Sequence, residues 1–500
     1  MFLVKLSRIN YRRGCFTKFP LFLFYIRSQK NKRIMSRFNE KKETGVTNLA
    51  GGKAYKESKE LQLVSMLLTS FGDDKTYRSS DDTFKKLDEL VKDCDKLFCA
   101  KAACYARREF GMRTITHYAA SVLAKYIGGE TWAKDFFAKV VYRPDDMTEI
   151  IACHLSRNEK ISNAMKKGFA EALGTFTDYQ LAKYRGEGNK VKLVDVVNLV
   201  HPTQTEKNNG AIEKLVNGNL KAFDTWEVEL STAGNDVEKK KSAWRKLISE
   251  NKLGYFALLR NIRNIANLQD DELKDLALGA LLNEKAIHKS LVLPFRFATA
   301  YKELSTIDSK AMSVISRACE IACDNVPKLD GKTLIALDVS GSMYGVSDIA
   351  ALFAAVLLKS NDCDLIKFSY NSTYQIVNTD DSLMTIKDNL KFSGGGTNFI
   401  SIFETANRKY DRIILLSDMQ AWMQNNYWVK SPSAAYNAYK QKYNPDCKMY
   451  SIDLAGYGTL QVPEKDVYCL AGFSEKIFDL MLYLEEDKNA LLNTIKAYNF

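Results

Sequence analysis

Five residues in the C-terminal third carry oxygen atoms at a spacing that suits a hard divalent cation. Asp338-Val339-Ser340-Gly341-Ser342 puts a carboxylate and two hydroxyls at alternating positions of one turn. Thr397 and Asp418 add a further hydroxyl and a second carboxylate. Mg²⁺ takes such oxygens in octahedral array and retains water in the remaining positions. The alternative is a plain turn followed by a helix cap, because Ser, Asp and Gly favour both.

The flanking segments argue for the metal site. Asp338 ends the apolar run Thr333–Leu337 and is soon followed by the apolar stretch Ile349–Leu358. Thr397 follows Gly394-Gly395-Gly396, and Asp418 follows Arg412-Ile-Ile-Leu-Leu-Ser417. Strand-like runs at Thr333–Leu337, Leu365–Ser369, Ile413–Leu416 and Met449–Leu454 alternate with helical stretches at Asp348–Lys359, Ser382–Leu390, Ile400–Lys409, Pro432–Lys442 and about Glu475–Leu484. This alternation predicts a doubly wound parallel sheet of Rossmann type over residues 328–500. Sites in such sheets form outside the carboxyl ends of strands, which is where all three pieces fall. Together they resemble the metal-ion-dependent adhesion site of a von Willebrand factor A domain. The resemblance implies a bound divalent ion, Mg²⁺ by preference, with one position open to an acidic ligand.

At 500 residues the chain is long enough for two or more domains with their own cores. Its composition, 46% hydrophobic and 26% charged, is that of a soluble globular protein. The net charge of +12 is concentrated at one end: residues 1–34 hold nine Lys or Arg and no acid, which leaves 12 − 9 = +3 for the rest. Anion binding by the body must therefore use local patches. Residues 1–34 read as a disordered extension or a start codon placed too early, with a targeting peptide as the other reading. The apolar run Phe19–Ile26 is too short to span a bilayer. Ten cysteines and four histidines show no zinc spacing, which predicts reduced thiols and a cytoplasmic protein.

From Leu61 to about Asn325 the pattern is helical. Leu61–Leu68, Ile161–Leu173, Ala211–Phe223, Lys239–Ile248 and Asp271–Leu282 place apolar residues at helical spacing. Helices in succession without strands predict a HEAT-like α-solenoid over residues 35–327.

Several stretches here resemble the TROVE module of the Ro autoantigen family: Thr47-Asn-Leu-Ala-Gly-Gly-Lys-Ala-Tyr55, Tyr105-Ala-Arg-Arg-Glu-Phe-Gly-Met-Arg113, Lys166-Lys-Gly-Phe-Ala-Glu-Ala-Leu173, Ala257-Leu-Leu-Arg-Asn-Ile-Arg-Asn264 and Leu293-Pro-Phe-Arg-Phe297. They occur in the family's order, and the likeness runs from about residue 44 to 305. The resemblance implies a helical ring closed by the A-type domain and active as a monomer. It implies a basic outer face for small structured Y-type RNA and a central hole for single-stranded 3′ ends of misfolded RNA. RNA quality control, with an exoribonuclease or other protein as helper, would be the role; neither DNA nor a membrane is expected as a partner.

By the same resemblance, Lys183 and His201 match the outer RNA-binding segment, and Arg185 and Lys190 compete for a third basic position. Arg107, Arg108, Arg113, Lys166 and Lys167 fall in matched stretches. Each has a structural alternative: a cap partner for His201, solvated helix charge for the others. Arg260, Arg263 and Arg296 sit among apolar neighbours, where buried pairing competes with RNA contact.

Three functions are compatible with these residues. A non-enzymatic RNA-binding ring is favoured. A metal-dependent protein-interaction module on a helical scaffold is the alternative. Metal-assisted phosphoryl chemistry ranks last, because neither a second-metal cluster nor a general base is evident near Asp338.

Overall fold

Apolar residues recurring every three or four positions build the first part of the chain, and continuous apolar runs build the second. The structure, a computed structural model, describes residues 46–47, 53–54, 58–69, 80–221, 226–420, 431–455, 461–462, 467–471, 477–486 and 490–500. All of them belong to one compact unit, Lys42–Phe500. The basic stretch 1–34 and much of the Thr47–Tyr55 motif lie outside the described residues.

A short antiparallel ladder, β1 (Val46–Thr47) with β2 (Lys53–Ala54), precedes the helices. Among the described residues, seventeen α-helices then run from Lys59–Thr69 to Ser309–Ala322. Their starts are written in the sequence. Asp95, Ser162, Thr177, Asp236, Asp270, Asn283 and Asp308 each accept a backbone N–H two or three residues into the helix that follows. Packing is close where the residues are small. A Cβ on Gly168 would lie 2.5 Å from the Lys134 carbonyl and 2.6 Å from the Phe137 Cβ, so only glycine lets the helix Asn163–Gly174 seat against Ala133–Val140.

The second part is a six-stranded sheet in the order β5-β4-β3-β6-β7-β8. Here β3 is Thr333–Asp338, β4 Cys363–Phe368, β5 Ser372–Gln375, β6 Arg412–Ser417, β7 Lys448–Asp453 and β8 Val467–Ala471. Five strands are parallel, and β5 runs antiparallel to β4 at one edge. The doubly wound parallel sheet expected from the sequence is present, with β5 added as an antiparallel edge strand. Two strands escaped the sequence reading: β5 is polar and half-exposed along its length, and β8 is only five residues long.

Strand residues divide by parity between two cores. Ile335, Leu337, Ile414 and Leu416 pack toward the helix Ser347–Ser360. Leu334, Ala336, Ile413 and Leu415 face the opposite side, with Phe399, Phe403 and Tyr436. Ser347–Ser360, with the 3₁₀ turn before it, is the one helical stretch among the described residues that is long and apolar enough to cross a membrane. It is largely buried on the sheet, as the core helix of a globular domain would be.

The first core is continuous with that of the helical array, which meets the sheet domain at both of its ends. At the late end, Phe295 lies with its ring centroid 5.9 Å from Phe353 and 6.1 Å from Phe478, and Phe353 stacks on Phe478 at 5.0 Å. Lys359 pairs with Glu320 at 2.7 Å, and the Ser360 hydroxyl donates to the Cys323 carbonyl. At the early end, Lys101 Nζ donates to the Lys496 carbonyl, Tyr498 meets Tyr105 edge to face at 5.6 Å, and Phe500 lies 5.9 Å from Trp132. Attachment at both ends closes the helical array into a ring through the sheet domain. The eight cysteines whose pairing is described are all free thiols.

Candidate metal centre and nucleic-acid interface

The strand order reverses direction between β3 and β6, and the acids Asp338 and Asp418 stand at the carboxyl ends of these two neighbours. This is the switch point at which open α/β sheets place ligands. Asp338 is fully buried. Its Oδ1 accepts the Ser340 N–H at 2.9 Å, and its Oδ2 accepts the Ser417 hydroxyl at 2.6 Å. The Ser340 and Ser342 hydroxyls converge to 3.2 Å. The glycine loop docks on this turn: Gly341 N–H donates to the Gly395 carbonyl, and Gly394 N–H donates to the Val339 carbonyl. Thr397 emerges from that loop and is buried, as is Asp418. Glycine is required in the loop, because a Cβ on Gly396 would meet the Tyr370 ring at 2.6 Å and Gly395 has φ +100°.

Two buried carboxylates at one site repel each other. Burial pushes the Asp338 carboxyl up to about 6, hydrogen bonds from Ser340 and Ser417 pull the other way, and the Asp418 charge adds to the rise. A cation among these oxygens would remove the conflict. The donor set, two carboxylates and three hydroxyls, fits a hard ion such as Mg²⁺. Among the described residues no group of three or more His, Cys, Asp or Glu side chains comes together, so the hydroxyls are needed to complete a coordination shell. Two residues were missed in the sequence: Ser417, which orients Asp338, and Asp453, a buried acid at the end of β7. Both sit at strand ends, which is the signal that would have found them.

The basic candidates in the helical array separate sharply. Arg107 is only 2% exposed, and its guanidinium forms a two-point pair with Asp146 at 2.9 and 3.0 Å. A side chain so enclosed has no surface to offer RNA; its role is structural, which corrects the sequence expectation. Arg108 donates to the carbonyls of Lys139 and Val141 and closes the end of the helix Ala133–Val140. Arg185 is held by the Leu220 carbonyl and by Glu187. Lys166 is half-buried, while Lys167, Lys183 and Lys190 are exposed. His201 caps the helix Leu193–Val200 through its backbone, in a left-handed conformation, and the residue is exposed.

Arg113 and Lys183 join a surface that the sequence reading missed. Arg113 donates to Asp145 at 2.7 Å, and Asp145 also holds Arg143. The Arg143 guanidinium lies 4.2 Å from the centre of the Tyr184 ring. Lys183 stands 5.9 Å from both the Tyr184 and Tyr179 rings. Tyr179 and, on the Arg108 side, Tyr142 are exposed. Cations and flat rings therefore alternate across one face, which suits phosphates and unpaired bases together. Arg143 was overlooked because a lone Arg before Pro144 reads as an ordinary helix entry.

An array of helices closed by a sheet with a candidate metal site at its switch point defines a two-part class of protein, and the comparisons agree with it. Residues 218–333 match the TROVE domain family. The crystal structure of the Ro (RSR) protein of Deinococcus radiodurans superimposes with a TM-score of 0.62 over 83% of this chain and 97% of that one, at 17% identity. Telomerase protein component 1 of Mus musculus is 21% identical over 52% of this chain, and that of Rattus norvegicus 35% identical over 19%. This chain spans only 13% and 4% of the length of those two relatives. Residues 218–333 thus carry the TROVE match, and the chain as a whole shares the fold of that Ro structure.

Proposed function

We propose that this protein binds RNA without acting on it chemically, holding a small structured RNA of the Y type on the face that carries Arg143, Tyr184, Lys183 and Tyr179. The observation that supports this most is the alternation of guanidinium, ring and ammonium on that face. Structured RNA offers shape and phosphates rather than readable base edges, so a basic face with rings at its loops and ends is a suitable receptor. Single-stranded ends of misfolded RNA would be taken up elsewhere on the ring, for quality control. Free thiols fit a reducing compartment, and we place the protein in the cytoplasm. Sequencing the RNA that co-purifies with the protein tests the reading. An abundant stem-loop RNA is expected, and its absence would overturn it.

Mg²⁺ at Asp338, Ser340, Ser342, Thr397 and Asp418 would hold the switch-point loops together and present an open position to an acidic group on a protein such as an exoribonuclease. Tyr344 and Tyr370 are exposed beside the glycine loop and support a docking role for this end of the sheet. The second reading, a metal-dependent protein-interaction module, rests on them. A pull-down of proteins that is lost with chelator but insensitive to ribonuclease would favour it over RNA binding.

A further inference from the structure

The helix Lys96–Arg108 opens on a capping motif filled by two thiols. Asp95 is its N-cap: the backbone there is non-helical, at ψ 133°, and the carboxylate accepts the Phe98 N–H at 2.8 Å. That geometry sets the residue just before the cap against the fourth residue of the helix, a contact that two apolar side chains ordinarily make. Here the two positions are Cys94 and Cys99, both buried free thiols. The Cys99 thiol donates a hydrogen bond to the Cys94 sulfur. Lys96 Nζ donates to the Cys94 carbonyl at 2.7 Å, and the thirteen-residue helix presents the positive end of its dipole to the pair. The Cys99 hydrogen bond, helped by the Lys96 charge, holds the Cys94 thiol below its ordinary range against burial and the charges of Glu60 and Asp93. The same bond, with burial, pushes Cys99 up. Burial also pushes up the thiols of Cys104, Cys153, Cys319, Cys323 and Cys363. Cys319 and Cys323, also close in sequence, turn to backbone instead: their sulfurs donate to the carbonyls of Pro294 and Cys319.

We propose that Cys94 and Cys99 form a peroxide-sensitive switch: a hydroperoxide oxidises the pair to a disulfide that locks the start of the helix Lys96–Arg108, and a thiol reductant reopens it. Cys94, 6% exposed and beside a cation at a helix N-terminus, reacts first; Cys99, 1% exposed, resolves the product. The Cys94 thiolate attacks one peroxide oxygen. An S–O bond forms, the O–O bond breaks, and the other oxygen leaves with a proton as water. The sulfur is oxidised by two electrons to a sulfenic acid. The Cys99 sulfur then attacks it: the S–S bond forms, the S–O bond breaks, and the hydroxyl leaves as water with the Cys99 proton. Two thiols and one peroxide thus give a disulfide and two waters. In a reducing compartment such a bond is transient, as a sensor requires. Its effect reaches the sheet domain. Further along the same helix, Lys101 donates to the Lys496 carbonyl and Tyr105 packs edge to face on Tyr498, so a fixed helix entry stiffens the seam there. The switch is independent of the RNA reading above.

Treating the folded protein with hydrogen peroxide, alkylating the remaining thiols and digesting with trypsin maps the bond. Cleavage after Lys92, Lys96 and Lys101 separates the two cysteines. The expected product is Asp93–Lys96 joined to Leu97–Lys101, two hydrogens lighter than their sum and lost on treatment with dithiothreitol. Cys99→Ser should instead hold Cys94 as a sulfenic acid that dimedone traps, and Cys94→Ser should leave Cys99 a thiol. Oxidised wild type should melt about 2 °C above the reduced protein, a difference absent from Cys94→Ser. The map of the wild type does not depend on either variant folding. Peroxide that leaves both thiols open to alkylation, or that links either cysteine elsewhere, would overturn the pair. Equal melting of oxidised and reduced wild type would overturn the lock.

Discussion

Asp145 and Asp146 are adjacent in the chain and serve opposite sides of it. Asp146 is fully buried and accepts hydrogen bonds from Arg107, from His117 and from the backbone N–H groups of Tyr142 and Arg143. Asp145 turns outward and holds Arg113 and Arg143 on the surface that carries Lys183. One turn of helix thereby anchors the interior of the array and aligns the cations of the candidate RNA face.

The two acids should behave differently when neutralised. Asp146→Asn leaves the Arg107 charge buried without a partner, and a loss of about 3–5 kcal/mol is expected. Asp145→Asn removes a partly exposed pair and should cost less than about 1 kcal/mol. It should also tighten binding of a structured RNA, because a negative charge leaves a basic face. Urea denaturation and an RNA titration on the same preparations measure both.

Acid should act through Asp146. Burial by itself would raise this carboxyl, but the His117 hydrogen bond and the His117 and Arg107 charges outweigh it and hold the group well below the usual carboxylate range. A depressed carboxyl contributes stability that is fully present above the unfolded value, about 3.9, and fades as pH falls below it toward the folded value. The stability gap between wild type and Asp146→Asn should therefore be flat from pH 7 to about 5 and shrink below about 4. A gap that grows as pH falls would contradict this assignment.

On the candidate RNA face, Arg143→Ala and Lys183→Ala should each weaken binding to a stem-loop RNA, and each should lower the slope of log affinity against log salt by about one. Lys183→Ala combined with His201→Ala should weaken it further while the melting curve stays in place. Arg107→Ala should instead lower the melting temperature, since Arg107 is an interior residue. A filter-binding series at several salt concentrations gives the slopes.

For the metal centre, Mg²⁺ at a hundred times its dissociation constant should stabilise the sheet domain by about 2.7 kcal/mol. Asp338→Ala and Asp418→Ala should abolish that response, and Ser417→Ala should weaken it by freeing the Asp338 carboxylate. Melting curves with Mg²⁺ and with chelator decide the matter; identical responses of wild type and Asp338→Ala would remove the site.

Much of the architecture is legible in the sequence. Helical spacing, the change of pattern near Lys328 and the strand-end positions of Asp338 and Asp418 follow from local periodicity, which depends only on neighbours in the chain; Thr397, read as a strand-end residue, lies instead in the loop between the helices Leu383–Asn389 and Phe399–Thr405. The structure keeps those elements, with helices at Lys59–Thr69, Asn163–Gly174, Ser347–Ser360 and Pro432–Tyr443 close to their expected limits. The helix read over Ala211–Phe223 ends at Val216, and the one read over Ile400–Lys409 spans Phe399–Thr405.

What tertiary structure alone decided is which charges face water. Arg107 and Arg108 are neighbours among matched residues, yet one fills an interior pair and the other closes a helix end. Arg143 carried no signal of its own until folding set it on Tyr184, 41 positions further on. Asp338 and Asp418, 80 positions apart, share a site only because β3 and β6 are neighbours in the sheet. The candidate oxygen ligands of Asp338, Ser340 and Ser342 were written in one short stretch, since a single turn gathers them. A guanidinium has the same letter whether it is buried or free, and only the packing of distant helices distinguishes the two.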